Sequence, residues 1–590
     1  MKHIIKNWKE LEAFQYLSGK YLAVDTETAS DGRVLTVQVA WSPVDAMCIW
    51  MDLCDQEAVR ILLSASPLIM HYGFHDVTEL AKIGIRATPA FDTFVAAKLL
   101  NYDKYEGFGL KYLARVNLGM EMKDIKEISP DIKLEEADRD LVADYGMDDA
   151  LATYRLFTFY RNNPWITSHM RLVVTESRLQ GALSRMKTRG ICFDTAITKT
   201  LHEELSSRID EINKMYPSVA IGTNGDLSRF IFDVLKCKPK GNRKTKDGRY
   251  SVAKDQLELV RDQQPEIIDH ILEWKTLSKL RSTYTYSYSS MVDKDFVIHP
   301  YFDPFGSVTG RFSSSGPNLQ NIPAGGTGKI VRKAFRARDG YKLVAMDYKQ
   351  IEFIVMAVMA GEDVILSDLK NGFDVHARTA SIIYDTPVLF VTKEQRGNAK
   401  TVNYAMIYGA GAGAFMSFVH GETEEDRWRE CHKMHAKFFD GYPKLKAYLE
   451  IMGNAVFRGY TETWFGRRRA LYKWSKDLSP GAKAGLFRLA KNSPIQGTAA
   501  DIIKIAMVNI DDSMLDDEYF MLLQIHDELL FEVKYDEYFH HTVAFLRSKM
   551  EDSFQYMKVD IEVGDNWFDL KPYAKPEGLR EWFSENKPTV

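Results

Sequence analysis

The sequence predicts a multidomain protein of mixed α/β and α+β class, on three observations. The chain has 590 residues, more than one hydrophobic core usually organises, and 45% apolar with 12% aromatic residues is ample for several cores. Short apolar runs ending in carboxylates read as strands: residues 21–28 (YLAVDTET), 341–347 (YKLVAMD) and 522–533 (LLQIHDELLFEV). Between them, from Thr175 onward, lie long stretches of helical periodicity.

In the first of these runs Asp25 and Glu27 are two residues apart, so a strand projects them from one face, where two carboxylates can share a cation. Residues 69–80 (IMHYGFHDVTEL) place Asp76 near the start of a helix, and residues 141–156 put Tyr145 and Asp149 one turn apart on another. Asn162, Asn163 and Pro164 break that helix and mark a domain boundary. Amphipathic helices follow at residues 201–216 and 265–284, separated by a loop, residues 236–249, with seven basic residues against one acidic. Residues 309–323 (TGRFSSSGPNLQNIP) hold too many turn formers for a regular element.

The run 341–347 ends in Asp347, and 522–533 reads as two strands meeting at a polar corner of His526, Asp527 and Glu528. Carboxylates at the tip of an apolar hairpin are costly to desolvate without a cation. Asp347 and Asp527 side by side suit two magnesium ions about 3.5–4 Å apart, an arrangement fitted to phosphoryl transfer. Downstream, Arg396, Lys400, Tyr404 and Tyr408 recur every four residues and form a slowly turning helical stripe. Arg488, Asn492 and Gln496 share the same spacing, and their guanidinium and amide groups suit the minor groove, where base acceptors are similar for all pairs. The acidic run 511–518 reads as a solvated turn.

Net charge is only −4, so no global basic field announces a nucleic acid; residues 329–338, with five basic residues and no acidic one, and Arg467 to Arg469 add local basic clusters. The five cysteines, at 48, 54, 192, 237 and 431, form no CxxC pair and read as reduced thiols. No secretory leader, membrane-length apolar run, repeat or low-complexity tract is apparent.

In this setting DYKQIEF (residues 347–353), RGNAKTVNYAMIYG (residues 396–409) and LLQIHDELLFEV resemble, in order, the palm motif, fingers helix and palm hairpin of the family A DNA polymerases. The set Asp25, Glu27, Asp76, Tyr145 and Asp149 resembles their tyrosine-bearing 3′-5′ exonucleases. The resemblance implies an RNase H-like 3′-5′ exonuclease domain (residues 1–165) followed by a right-hand polymerase body (residues 166–590). Its thumb lies at about 195–300, its palm at about 301–360 and 490–590, and its fingers at about 361–489. It implies two magnesium ions at each site, with manganese as a substitute: Asp347 and Asp527 as ligands at one, Asp25, Glu27, Asp149 and Asp76 at the other, with Tyr145 orienting the attacking water.

Glu528 then stands near the primer end and His526 positions the terminal phosphate. Arg396, Lys400 and His376 bind the triphosphate, with Lys400 also a general acid toward pyrophosphate. Tyr404 stacks on the incoming nucleotide, Tyr408 guards the templating position, Gln350 lies at the nucleotide site, and Glu352 is a steric gate against the 2′-hydroxyl. Arg311, Asn318, Gln320, Asn321, Arg332, Arg488, Asn492 and Gln496 contact primer-template DNA, and beside these motifs the three basic clusters point to phosphates. Tyr72 and His75 depart from the exonuclease pattern, and Lys349, Ile354 and Ala405 from the polymerase pattern. The implied enzyme is a monomeric, phage-type replicative polymerase in the cytoplasm of a host cell, using deoxynucleoside triphosphates and open to accessory replication proteins, with no fused 5′ nuclease and no membrane contact. Ribonucleotide use would mark the competing reading, a single-subunit RNA polymerase.

Overall fold

The computed structural model describes residues 1–100, 106–124, 133–471, 475, 477–514 and 517–573. Its N-terminal unit is a mixed sheet of β1 (Lys2–Ile5), β2 (Leu22–Thr28), β3 (Val34–Ala40), β4 (Ala46–Trp50), β5 (Leu68–Met70) and β6 (Pro89–Asp92), in the order β1-β4-β3-β2-β5-β6. Strands β2, β3 and β4 pair antiparallel, while β1, β5 and β6 join parallel to their neighbours. Alternation along β2 sends Ala23 into one core and Leu22 and Val24 into the other, so the strand is buried on both faces. Its polar end, from Asp25 to Thr28, emerges where water is scarce.

The helix Arg139–Arg161 starts at Asp138, whose carboxylate accepts the amides of Asp140 and Leu141, and packs on β2 and β3. Gly146 permits the close approach, since a Cβ there would collide with the Gln38 side chain. The helix stops at Asn162, as the RNNP sequence predicts, and the helix Met170–Arg189 then carries the chain from this unit into the larger body. Gly190, at φ 56°, ends it against the Ile298 carbonyl.

The body opens with β7 (Ile191–Phe193), which pairs with β8 (Val297–Ile298) and, on its other side, with β11 (Phe335–Arg336). Residues 309–323 are more regular than expected: Ser313–Ser315 forms β10 against β9 (Tyr301–Asp303), and Leu319–Asn321 is a 3-10 turn. The first predicted amphipathic helix begins earlier, at Thr195, because Asp194 caps it; the second, Pro265–Lys279, continues as wider turns over Leu280–Ser287.

At the centre lies an antiparallel sheet in the order β15-β16-β12-β17-β18. It comprises β12 (Tyr341–Tyr348), β15 (Tyr519–Ile525), β16 (Glu528–Lys534), β17 (Val559–Gly564) and β18 (Lys571–Pro572), while β13 (Tyr460–Glu462) and β14 (Arg468–Ala470) form a separate hairpin. The corner between β15 and β16 is His526 and Asp527 alone, and Glu528 already belongs to β16.

The basic clusters are paired more than sequence implies. Lys240, Arg243 and Arg249 reach Asp262, Asp255 and Asp247, exposed pairs worth little individually. Arg338 and Arg189 close on Glu532, which is 0% exposed beneath the hairpin, and Arg467 is itself buried. The acidic run is likewise not a solvated turn: Asp511 is buried and ion-paired with Arg185, Asp512 pairs with Arg178 at 2.6 Å, and residues 515–516 lie outside the described residues. Glu532→Ala leaves two guanidinium groups without their buried partner. It is expected to cost about 3–5 kcal/mol in chemical denaturation; a loss below about 1 kcal/mol would show that the triad does not hold the hairpin strand.

Candidate functional site

In the N-terminal unit, ligand oxygens of Asp25, Glu27 and Asp149 all lie within 4.8 Å of one another. Strand β2 supplies the first two and the helix Arg139–Arg161 the third. Asp76 joins from the helix Phe74–Lys82, where it accepts the Thr26 hydroxyl at 2.8 Å. Burial, reinforced by mutual repulsion, raises Asp25 well above the carboxylate range and Glu27 to about 8. Burial also lifts Asp76 to about 7 and Asp149 to about 6. One oxygen of Asp149 is buried without a hydrogen-bond partner. A convergent set of desolvated oxygens of this kind fits a divalent cation.

Tyr145 lies one turn before Asp149, and its hydroxyl accepts from Lys111 Nζ at 3.2 Å. Sequence reasoning missed Lys111, which no motif flags, and Asp92, which accepts the amides of Tyr72, Gly73, Phe94 and Val95. Asp92 thereby fixes the left-handed turn at Tyr72, φ 60°. The two departures found in the sequence both face the cleft, a cavity of about 520 Å³ lined by Asp25, Tyr72, His75, Asp76, Tyr301 and Phe305 among others. Tyr72 also bonds Tyr301 of the larger body, hydroxyl to hydroxyl, at 2.8 Å.

The second set stands at the end of the central sheet. The register sets Asp347 opposite Glu528 on one side and Asp560 on the other, and the Tyr348 amide donates to the Asp527 carbonyl at 3.2 Å. Burial, then the nearby Asp527, pushes Asp347 up to about 6. Burial raises Asp527 too, and Glu528 to about 7. One Glu528 oxygen is buried without a partner. Desolvated carboxylate oxygens on adjoining strands, one of them unpartnered, are donors of the type a divalent cation takes. Lys349, a departure in the sequence, pairs with Asp560 at 2.6 Å, and Ile354 is buried in the core.

Around this set, Glu352 is 5% exposed and takes Arg311 on one oxygen and the Tyr408 hydroxyl, at 3.2 Å, on the other. Gln350, at φ 53°, turns the chain into the helix Ile351–Ala360 that carries Glu352. Asn318 caps the Leu319–Asn321 turn, and Gln320 donates to Gln524, which in turn donates to the His526 carbonyl at 2.5 Å. Arg332 faces inward, donating to the Pro323 and Ile322 carbonyls with its guanidinium 4.0 Å from the Trp567 ring centre. The Asn321 carbonyl accepts Tyr284.

The helix Lys393–Ile407 opens with a capping box of Thr392 and Gln395 and carries Arg396, Lys400 and Tyr404; Tyr408 is its cap residue. Arg396 pairs with Asp374 at 2.5 Å. His376 is off the exposed stripe: it is 1% exposed, accepts Asn403 at Nδ1, and stands 6.2 Å from the Tyr404 ring. Burial pushes it down to about 4, so it is neutral at pH 7, and its Nε2 has no partner. Arg488, Asn492 and Gln496 lie on the helix Pro480–Asp512, with Gln496 in reach of the Tyr408 hydroxyl. The structure brings Asp25, Glu27, Asp76, Tyr145 and Asp149 together in one set and Asp347, Asp527 and Glu528, with Glu352, Arg311 and Tyr408 beside them, in another, and it places Arg332 and His376 behind the surface.

The profile of "DNA polymerase family A" matches residues 193–569 and that of "3'-5' exonuclease" residues 3–163. DNA polymerase I of Chloroflexus aurantiacus is 33% identical over 542 residues, 86% of this chain and 55% of that protein. DNA polymerase I of Pseudomonas aeruginosa is 30% identical over 591 residues, covering 92% and 63%. A solved structure, the POL domain of Pol1 from M. smegmatis in complex with DNA primer-template and dNTP, superposes with a TM-score of 0.78 at 25% identity, covering 97% of this chain and 100% of that one. The chain belongs to DNA polymerase family A, with an exonuclease domain preceding the polymerase domain. It spans 48–63% of the length of the curated relatives it matches. Among the described residues no helix is long and apolar enough to cross a membrane.

Without metal, the folded protein keeps protons on these carboxylates that the unfolded chain releases near their ordinary values of 3.8 and 4.5. That stabilisation is present at low pH and lost as pH rises toward about 8. In EDTA the melting temperature should therefore fall on going from pH 6 to pH 8, and magnesium should restore about 2–4 °C, more at pH 8 than at pH 6. A gain that is absent, or equal at both pH values, would contradict cation binding at these sets.

Proposed function

We propose that this chain catalyses template-directed DNA synthesis from deoxynucleoside triphosphates and proofreads by 3′-5′ exonucleolysis. The observation that carries the reading is the pair of desolvated carboxylate sets, one within each region matched by a family profile. Asp347 and Asp527 would hold two magnesium ions, and Asp25, Glu27 and Asp149, assisted by Asp76, two more, with manganese as a substitute. Bound there, the ions supply positive charge against the phosphoryl oxygens and ease ionisation of the attacking oxygen.

The remaining work falls to this chain's own side chains. Arg396 and Lys400 line an exposed helix face where a triphosphate can lie, and Lys400 is placed to protonate the departing pyrophosphate. His376, neutral and accepting Asn403 at Nδ1, carries its ring proton at Nε2 and can donate it to a phosphate oxygen. Tyr404 offers a ring to the nucleotide, and Tyr408 stands over the template position. Glu352, braced by Arg311 and Tyr408, fills the space a 2′-hydroxyl would need, with Gln350 beside it. Glu528 and His526 would position the primer end. Arg311, Asn318, Gln320, Asn321, Arg488, Asn492 and Gln496 would follow the primer-template; Arg332 reaches it only if its guanidinium leaves Trp567. Tyr145 would orient the water at the exonuclease site.

The domain reading is exonuclease at 1–165, thumb at about 195–300, palm at about 301–360 and 490–590, and fingers at about 361–489. We place the enzyme in the cytoplasm, as a monomer acting on primer-template DNA with room for accessory replication proteins.

On an end-labelled recessed primer, Asp347→Asn should lower extension at least about a hundredfold while leaving 3′ shortening intact, and Asp25→Ala should do the converse. Loss of both activities in either variant would argue against two separate sites. Glu352→Ala should cut discrimination against ribonucleotides at least about tenfold, and unchanged selectivity would remove Glu352 as the gate. Tyr404→Phe should raise discrimination against dideoxynucleotides, read from chain-termination frequency, because the phenolic hydroxyl can stand in for the missing 3′-hydroxyl; no change would rule that role out.

A further inference from the structure

A buried node of four charges lies where the two parts of the chain meet. Glu176 from the helix Met170–Arg189, Asp501 and Lys504 from the helix Pro480–Asp512, and Arg467 beside β14 are between 0% and 7% exposed. Arg467 donates from Nε to Asp501 at 2.8 Å and contacts Glu176 through Nη2. Lys504 Nζ donates to Glu176 at 2.7 Å and to the Pro304 carbonyl at 2.8 Å, and the Thr463 hydroxyl donates to Asp501 at 2.7 Å. Burial pushes Lys504 down to about 8. A buried set like this is no more stable than well-packed apolar residues of the same volume, so stability alone does not account for it.

What the node grips is one loop, residues 303–312. Besides the Pro304 bond, Lys504 stands 5.6 Å from the ring centre of Phe305 and 5.2 Å from that of Phe312. Gly310, at φ +83°, approaches Arg467 so closely that a Cβ would lie 2.6 Å from its Nε. One end of this loop, Asp303 to Phe305, lines the cavity that holds Asp25 and Asp76. The other end delivers Arg311 to Glu352. Lys504 and Glu176 touch neither carboxylate set.

We propose that Lys504 is a positioning residue for both sites: through Pro304 and Glu176 it sets where Phe305 stands in the exonuclease cleft and where Arg311 holds Glu352, coupling sugar selection to capture of the 3′ end. The inference rests on the polymerase and exonuclease reading above. It explains a fully buried lysine that makes no contact with either carboxylate set, and a loop held at Pro304 by Lys504 and at Gly310 by Arg467.

The test is Lys504→Met, which keeps the apolar stem and removes the charge and the Pro304 bond. Two quantities independent of the folded fraction are read. One is the ratio of deoxynucleotide to ribonucleotide incorporation; the other is the exonuclease KM on single strands, with kcat expressed per titrated active site. The ratio should fall about tenfold and the exonuclease KM rise about tenfold, with its kcat changed less than about twofold. Should the net negative charge left on Glu176, Asp501 and Arg467 prevent folding, Glu176→Gln combined with Lys504→Met removes one charge of each sign and should show the same two shifts. A folded variant with both quantities at wild-type values, or with only one displaced, overturns the coupling. A wild type that neither extends nor shortens a primer overturns the underlying reading, which separates the two failures.

Discussion

Carboxylates forced together at the ends of buried strands are the constraint from which the rest of this structure follows. At ordinary solvation Asp25, Glu27 and Asp149 would repel one another apart; here β2 runs through the middle of its sheet, and Gly146 lets the helix bearing Asp149 lie against β3. The central sheet repeats the device with different parts. Strand β12 is flanked by β16 and β17, so Asp347 is held between Glu528 and Asp560 by backbone hydrogen bonds that side-chain repulsion cannot undo. In both places the scaffold holds the like charges together, and a cation is the natural relief.

The opposite solution, burying charges of opposite sign together, holds the frame around those sites. Glu532 takes Arg189 and Arg338 under the hairpin, Asp511 takes Arg185 between the two halves, and Glu176 with Asp501 takes Arg467 and Lys504. Breaking one such pair costs several times what a surface pair contributes, so these contacts fix geometry where the exposed pairs of residues 236–249 do not. The contrast accounts for why Arg467 points inward and Arg189, Arg338 and Arg185 are drawn onto buried carboxylates even though the chain's proposed partner is a polyanion.

The carboxylate sets were partly legible in the sequence because strand periodicity and four-residue helical spacing act locally: DxE on a strand fixes the face of Asp25 and Glu27, and LLQIHDELLFEV encodes its own hairpin. The meeting of Asp347 with that hairpin is long-range: the residues suggest it through carboxylates in need of a cation, and the family resemblance supports it. Features set by partners distant in sequence stayed hidden. Runs of arginine and aspartate look solvated until the carboxylate or guanidinium that neutralises each is known, as with Arg467 and Asp511. Lys111 and Asp92 carry no motif, and their roles come from the elements that happen to pack beside them. The family resemblance put His376 at the triphosphate, and the long-range packing of Phe353 and Asn403 that buries it could not be read from the sequence.

The central claim is that both carboxylate sets are cation sites within one chain. Anomalous diffraction from crystals grown with manganese tests it directly. Density is expected beside Asp347 and Asp527 and, separately, among Asp25, Glu27 and Asp149, without wholesale movement of the strands that carry them. Manganese at neither set, or a site that forms only after β2 or β12 rearranges, would contradict the account.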